Sequence, residues 1–307
     1  MSISGADVAA SVAAAVLWSD MLGRILLKRA DLQLMTTIVT RVRRGAGAGG
    51  ACQRTLSSFA VALAIAALLL AAPAARAAEV AWRDIESRIQ YGYYTEDTAA
   101  LRKLEELIAS GDAHDKLRGY YGGLLAWRRA LLAASGGAAA QGGSASHYAQ
   151  QCVGELDAAL ALETDFAEGL ALRAACLAAP QELGGGFAPL AGHRARKDLE
   201  RARQLATHNP RVLLVDAMSD YTLAASQGGN KERALSKLRQ TVAAFESERA
   251  EAERLPGWGA AEAWLLLGQD LLDHGDSVGA RDALEHALLI APEFAQARRL
   301  MAKITSG

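Results

Sequence analysis

Aromatic residues make up only 6% of this 307-residue chain, and proline occurs only 6 times. With β-branched residues also sparse, an all-β fold is excluded. Low proline and 22% charged residues exclude a mostly disordered chain. There are three cysteines, Cys52, Cys152 and Cys176, too few and too far apart for a four-ligand metal site. The six histidines show no H-E-x-x-H spacing, and neither a Walker loop nor a G-x-S-x-G elbow occurs. Nothing in the sequence marks a catalytic residue, a cofactor site or a metal site. Charge of one sign is lacking too, with a net of −1. That balance hides an asymmetry: residues 1–77 hold 8 Lys/Arg and 3 Asp/Glu, and 25 basic against 31 acidic residues follow. A mildly acidic body has no basic footprint for nucleic acid. What is present is alanine, 67 of it, with abundant leucine. That composition in a proline-poor chain reads as all-α. The length holds one large domain or two ordinary ones.

The longest apolar run is Phe59–Ala72, 14 residues, short of the roughly 20 that a membrane-spanning helix needs. Arg41, Arg43, Arg44 and Arg54 precede it, and small residues at Ala75 and Ala77 follow. Basic, apolar and small-x-small regions in that order read as a secretory signal peptide. Cleavage is expected after Ala77, so the mature chain begins Ala78-Glu79-Val80. Met35 is the natural start of this signal. Residues 1–34 then read as an over-extended N-terminus, 35–77 as the signal and 78–307 as a periplasmic or secreted protein without stable membrane insertion. The competing readings are an uncleaved anchor over Leu56–Ala75 and a buried alanine-rich helix. Gly45–Gly50 matches G-x-G-x-x-G, but no strand precedes it, so the match carries no dinucleotide site.

Internal repetition is clearest near the C-terminus. Ala261–Phe294 places Trp264, Leu267-Gly268 and Leu271 on one helix. Gly275-Asp276 makes the turn, Ala280, Leu284 and Ala287 fall on a second helix, and Pro292 closes the unit. Small Gly268 and Ala280 suit a close helix crossing, and the larger apolar residues recur at helical spacing. Weaker copies pair Leu117–Ala133 with Cys152–Leu162, Phe166–Ala178 with Ala195–Ala202, and Val212–Ala225 with Ala234–Thr241. Trp82–Ile89, Thr98–Ala109 and Leu117–Ala133 read as amphipathic helices, Ala81–Ala109 forming an N-terminal helix pair. The expected layout is N-terminal helices over 78–135, a Gly/Ala-rich loop over 136–147, and repeats over 148–307 ending in a capping helix, Gln296–Ile304. A second long loop is expected at Pro180–Gly192.

The Ala261–Phe294 unit resembles a tetratricopeptide repeat at nearly every signature position. The resemblance is strong in that unit and loose elsewhere in about residues 115–300. It implies an α-α superhelix, a solenoid of antiparallel helix pairs, that binds a protein or peptide of the cell envelope in its concave groove without catalysis. The groove positions of the family fall on Glu262, Leu265, Gln269, Leu272 and Asp273. The Lys and Asn with which chaperone-binding members clamp a carboxylate are replaced here by Glu262, Leu265 and Gln269. An alternative function is an accessory role in envelope transport, binding or handing on a small solute. Among the aromatics crowded near the N-terminus, Tyr93, Tyr94, Tyr120 and Tyr121 are candidates for a ligand-facing patch, the alternative being packing between helices. Cys152 and Cys176 lie on neighbouring helices. They are either a disulfide or two small buried contact residues.

Overall fold

Short polar residues stop and start this chain at regular intervals. The computed structural model describes residues 81–135, 144–182, 189–223, 228–249 and 255–306. The expected over-extended N-terminus, the expected signal and mature start at Ala78, and residues 136–143 of the expected Gly/Ala loop lie outside the described residues. Within the described residues every regular element is a helix. They are α1 (81–94), α2 (Thr98–Ala109), α3 (Lys116–Ala134), α4 (Ala145–Leu162), α5 (Ala167–Glu182) and α6 (Pro189–Leu205). Then follow α7 (Pro210–Thr222), α8 (Lys231–Arg249), α9 (Ala260–Asp273), α10 (Ser277–Ile290) and α11 (Ala295–Ser306). Asp97, Asp115, Ser144, Asn209 and Asp276 each cap a helix by accepting a backbone N–H of its first turn. Pro210 follows its cap directly, where a missing N–H costs nothing. Among the described residues no helix is long and apolar enough to cross a membrane.

Two loops are narrower than the sequence reading expects. Helix α5 continues through Pro180 to Glu182, and α6 begins at Pro189 inside the expected loop Pro180–Gly192. A proline in the last turn removes one donor without stopping the helix at once, and a proline fits a first turn. Likewise α4 starts at Ala145, behind its Ser144 cap.

Each even-numbered helix from α4 to α10 packs most closely on the odd-numbered helix before it, and α3, α5, α7 and α9 touch one another in series. The crossings are tight where residues are small. A Cβ on Gly268 would lie 3.0 Å from Leu284 Cγ and 3.3 Å from the Ala280 carbonyl oxygen. At the α3–α4 crossing the approach is closer. A Cβ on Gly119 would stand 2.6 Å from the Glu155 carbonyl oxygen and 3.0 Å from the Ala159 nitrogen. Backbone cannot swing aside as a side chain can. Gly119→Ala should therefore lose about 1–3 kcal/mol to overpacking, despite alanine's better helix propensity. Gly154→Ala at an exposed position of α4, with nothing within 4 Å, should gain up to about 1 kcal/mol. Urea unfolding of the two variants would give opposite signs; equal signs would place Gly119 away from the α4 backbone.

Cys152 of α4 and Cys176 of α5 are joined as a disulfide with Cα atoms 6.1 Å apart, both residues buried. Helix α1 meets α2 closely at Gly92, where a Cβ would stand 2.8 Å from Leu101 Cδ2. Helix α2 lies against α3, burying Leu101, Leu104 and Ile108 at helical spacing. Helix α1 buries Trp82, Ile85, Glu86, Ile89, Gln90, Tyr93 and Tyr94. These residues reach α3, the segment 257–258, α9 and Phe294. Its inward face is half polar, so only partners distant in sequence can satisfy it.

Candidate functional site

Helices α3, α7, α9 and α11 line a recess of about 470 Å³ beside the last turn of α1. Trp127, Leu131 and Leu132 of α3, Leu214 and Met218 of α7, and Leu265 and Leu266 of α9 supply apolar walls. Helix α11 contributes Gln296, Arg299, Leu300 and Lys303, one face of that helix. Glu96, in the turn after α1, stands at the mouth, and Gln269 of α9 lines the side.

The inner end is closed by a buried ionic cluster. Arg128 is 1% exposed and pairs with Glu262. Its Nε donates to Gln90 Oε1 at 3.1 Å. Gln90 Nε2 donates to Glu262 Oε1 at 2.8 Å, and Tyr94 Oη donates to Glu262 Oε2 at 3.0 Å. The guanidinium also lies 4.3 Å from the Tyr93 ring centroid, 4.6 Å from Trp127 and 5.0 Å from Trp258. Burial, then the neighbouring Glu262 carboxylate, pushes the Tyr94 hydroxyl well above the phenol range. It therefore stays a donor. Every group of this cluster is engaged with another, so the cluster seals α1 onto α3 and α9 rather than offering a nucleophile or a proton carrier.

A second cluster fixes the middle of α1. Glu86 accepts from Tyr121 Oη at 2.7 Å and from the Gly257 N–H at 2.9 Å. Burial raises its carboxyl above the usual range. Trp258 Nε1 donates to Tyr120 Oη at 2.8 Å. Trp82 stacks on Tyr121 with centroids 5.5 Å apart and donates its Nε1 to the Asp115 cap.

The residues expected to face a ligand thus fall in different places. Leu265, Gln269 and Tyr93 line the recess, and Glu262 lines its closed end while bound to Arg128. Leu272 is half-buried and packs on the core. Asp273 is tied to Lys231 and accepts from Tyr221 Oη at 3.0 Å. Tyr94 is buried against Phe294, centroids 4.5 Å apart. Tyr120 and Tyr121 have no exposed surface. The sequence reading missed Arg128, Glu96 and the α11 stripe. A charge within the apolar run Leu124–Leu132 was the one available sign of Arg128.

One buried carboxylate is left without partners. Asp270 on α9 is fully buried, and neither side-chain oxygen accepts a hydrogen bond. His274 Nδ1 stands 3.3 Å from Oδ1, but it is aligned on the Asp270 carbonyl oxygen at 2.7 Å. Burial raises the Asp270 carboxyl above 3.8, with the negative charge of Asp273 adding to the shift. A carboxyl raised in the fold binds its proton more tightly there than in the unfolded chain. Its contribution to stability is thus fully present below pH 3.8 and is lost as pH rises through the folded value. Asp270→Asn should therefore melt higher than the parent at neutral pH. The difference should shrink on acidification toward pH 3.8. An unchanged or lower melting temperature at pH 7 would mean that water or a cation satisfies this carboxylate.

Among the described residues no group of three or more His, Cys, Asp or Glu is placed to hold a metal ion. No known family model matches the chain, and no curated protein matches it.

Proposed function

We propose that this chain is an exported helical-repeat binding protein of the tetratricopeptide type, holding a segment of a protein partner in its inner recess without catalysing a reaction. The observation that carries the reading is the recess itself: the first helices α3, α7 and α9 line it and leave apolar walls there. Arg128 pairs with Glu262 and Arg299 with Glu96 there. Regular pairing of helices and the crossing at Gly268 and Ala280 support a solenoid of such repeats. Helix α1, seated along the inner face, leaves space for a few side chains of a partner rather than for a long helix. Export is supported by the leader pattern before Ala78 and by the Cys152–Cys176 disulfide, a bond that persists in oxidising compartments.

A photo-crosslinking side chain placed at Gln269 should capture a specific protein in intact cells. The same group at Leu289, exposed on α10, should not. The volume of the recess also lies in the range for small ligands, which favours solute binding as the second reading. A small molecule retained on native mass spectrometry, with no adduct at Gln269, would transfer the assignment to it. The mature N-terminus tests export: a chain beginning at Met1 in the cytoplasm removes that part.

A further inference from the structure

Four of the charges lining the recess, Arg128, Glu262, Arg299 and Glu96, form two pairs. Glu262 belongs to Arg128 and is sealed with it. Glu96 belongs to Arg299, across the mouth, with side chains 36% and 56% exposed. The apolar walls on α3, α7 and α9 face a polar stripe on α11, where Arg299 and Lys303 are one turn apart.

Glu96 holds an unusual backbone. Its φ is 57°, in the left-handed region that costs an L residue with a Cβ roughly 1–2 kcal/mol. Glycine or asparagine would make the turn between α1 and α2 at less cost. The turn therefore does not account for glutamate at this position. What glutamate adds is a carboxylate laid on Arg299. An ion pair this exposed is worth about 0–1 kcal/mol, so another carboxylate arriving with its own apolar contacts can replace it.

We propose that the recess takes an aliphatic or aromatic anchor of a partner peptide with an acidic side chain beside it, and that Glu96 holds Arg299 in position until that acid takes its place. The proposal rests on the peptide-binding reading above. The anchor enters between Leu131, Met218 and Leu266, and its acid meets Arg299 with Lys303 one turn along. Glu96 then swings to solvent, where an exposed carboxylate is at no disadvantage. Charge matching sets the orientation and the preferred sequence, while apolar burial supplies most of the affinity.

The test is selection of a random 12-residue peptide display library on the purified chain, followed by synthesis of the enriched peptides. Enriched sequences should pair an apolar anchor with Asp or Glu within two residues. Arg299→Gln should weaken such a peptide by up to about fivefold, the worth of an exposed ion pair. Glu96→Gln should tighten it by up to about fivefold, the worth of the exposed pair it removes. The same peptide with its acid changed to the amide should be indifferent to Arg299→Gln. Both positions are exposed, so thermal melts of these variants should match the parent. Gln269→Trp, which fills the recess, separates the two levels of the argument. Peptides that lose binding on Gln269→Trp but show no acidic preference, or bind Arg299→Gln unchanged, overturn the charge proposal and leave peptide binding intact. Failure to enrich any peptide sensitive to Gln269→Trp overturns both.

Discussion

Replacing Glu262 by alanine is expected to destabilise the chain by about 3–5 kcal/mol, the usual loss when one member of a buried ion pair is removed. Arg128 is 1% exposed and is enclosed by the rings of Tyr93, Trp127 and Trp258. Without Glu262 its charge has no counter-ion within that enclosure, and Gln90 and Tyr94 lose their acceptor as well. To solvate the guanidinium, water from the recess must enter the space Glu262 leaves, or α1 must open. Glu262→Gln should cost less than Glu262→Ala, because it keeps the shape and one acceptor oxygen while losing the charge. Replacing both partners, Arg128→Met with Glu262→Leu, should recover much of the loss, since no charge then remains to be buried. Urea midpoints for the four chains measure this, provided the m-value holds constant. A loss below about 1 kcal/mol for Glu262→Ala would show that α1 is not sealed on α9 and that water already reaches Arg128.

That prediction turns on a residue whose place in the helix the sequence disclosed and whose neighbour it did not. The repeat pattern of Ala261–Phe294 puts Glu262, Leu265 and Gln269 along one side of a first helix. The structure has all three along the recess. Periodicity cannot say what else occupies that side. The occupant is α1, whose contacts with α9 span 168 and 172 residues of sequence, and no local pattern encodes such a pairing. Some helix starts fell where the sequence reading put them, Thr98 and within one residue of Leu117, and their caps are local: Asp97 and Asp115 each act within three residues of themselves. The small residues of one crossing were legible at Gly268 and Ala280, where the repeat pattern is clear. Those of another were not, at Gly119 and Gly123, where it is weak. Tyr120 and Tyr121 read as packing between helices first and as ligand-facing second, because an aromatic residue suits both. Only the hydroxyl partners, Trp258 and Glu86, distinguish the two. The left-handed backbone at Glu96 left no trace in the sequence.

The second large effect belongs to the disulfide. Cys152 and Cys176 are 24 residues apart, and closing a loop of that size in the unfolded chain is worth about 3 kcal/mol in the chain-entropy account. The double variant Cys152→Ala, Cys176→Ala should therefore unfold at a lower urea concentration by that amount. Alanine is the substitution to use, because serine would bury two hydroxyls beside α4 and α5 and add a cost unrelated to the crosslink. Reductant should act differently on the folded and the unfolded chain. Both cysteines are at most 1% exposed, so reduction of the native protein must wait for α4 and α5 to separate and should follow the rate of that opening. Once unfolded in reductant, the parent should refold to the stability of the double variant. Coincident midpoints for the parent with and without reductant would mean that the two sulfurs are not joined in the protein as made. The result bears on the export proposal. A loss of about 3 kcal/mol is a large part of the roughly 5–15 kcal/mol that holds a typical domain together. A leaderless chain produced in a reducing cytosol should thus show the lowered midpoint and recover the higher one on oxidation in vitro. Only after transfer to an oxidising compartment would this chain reach its full stability.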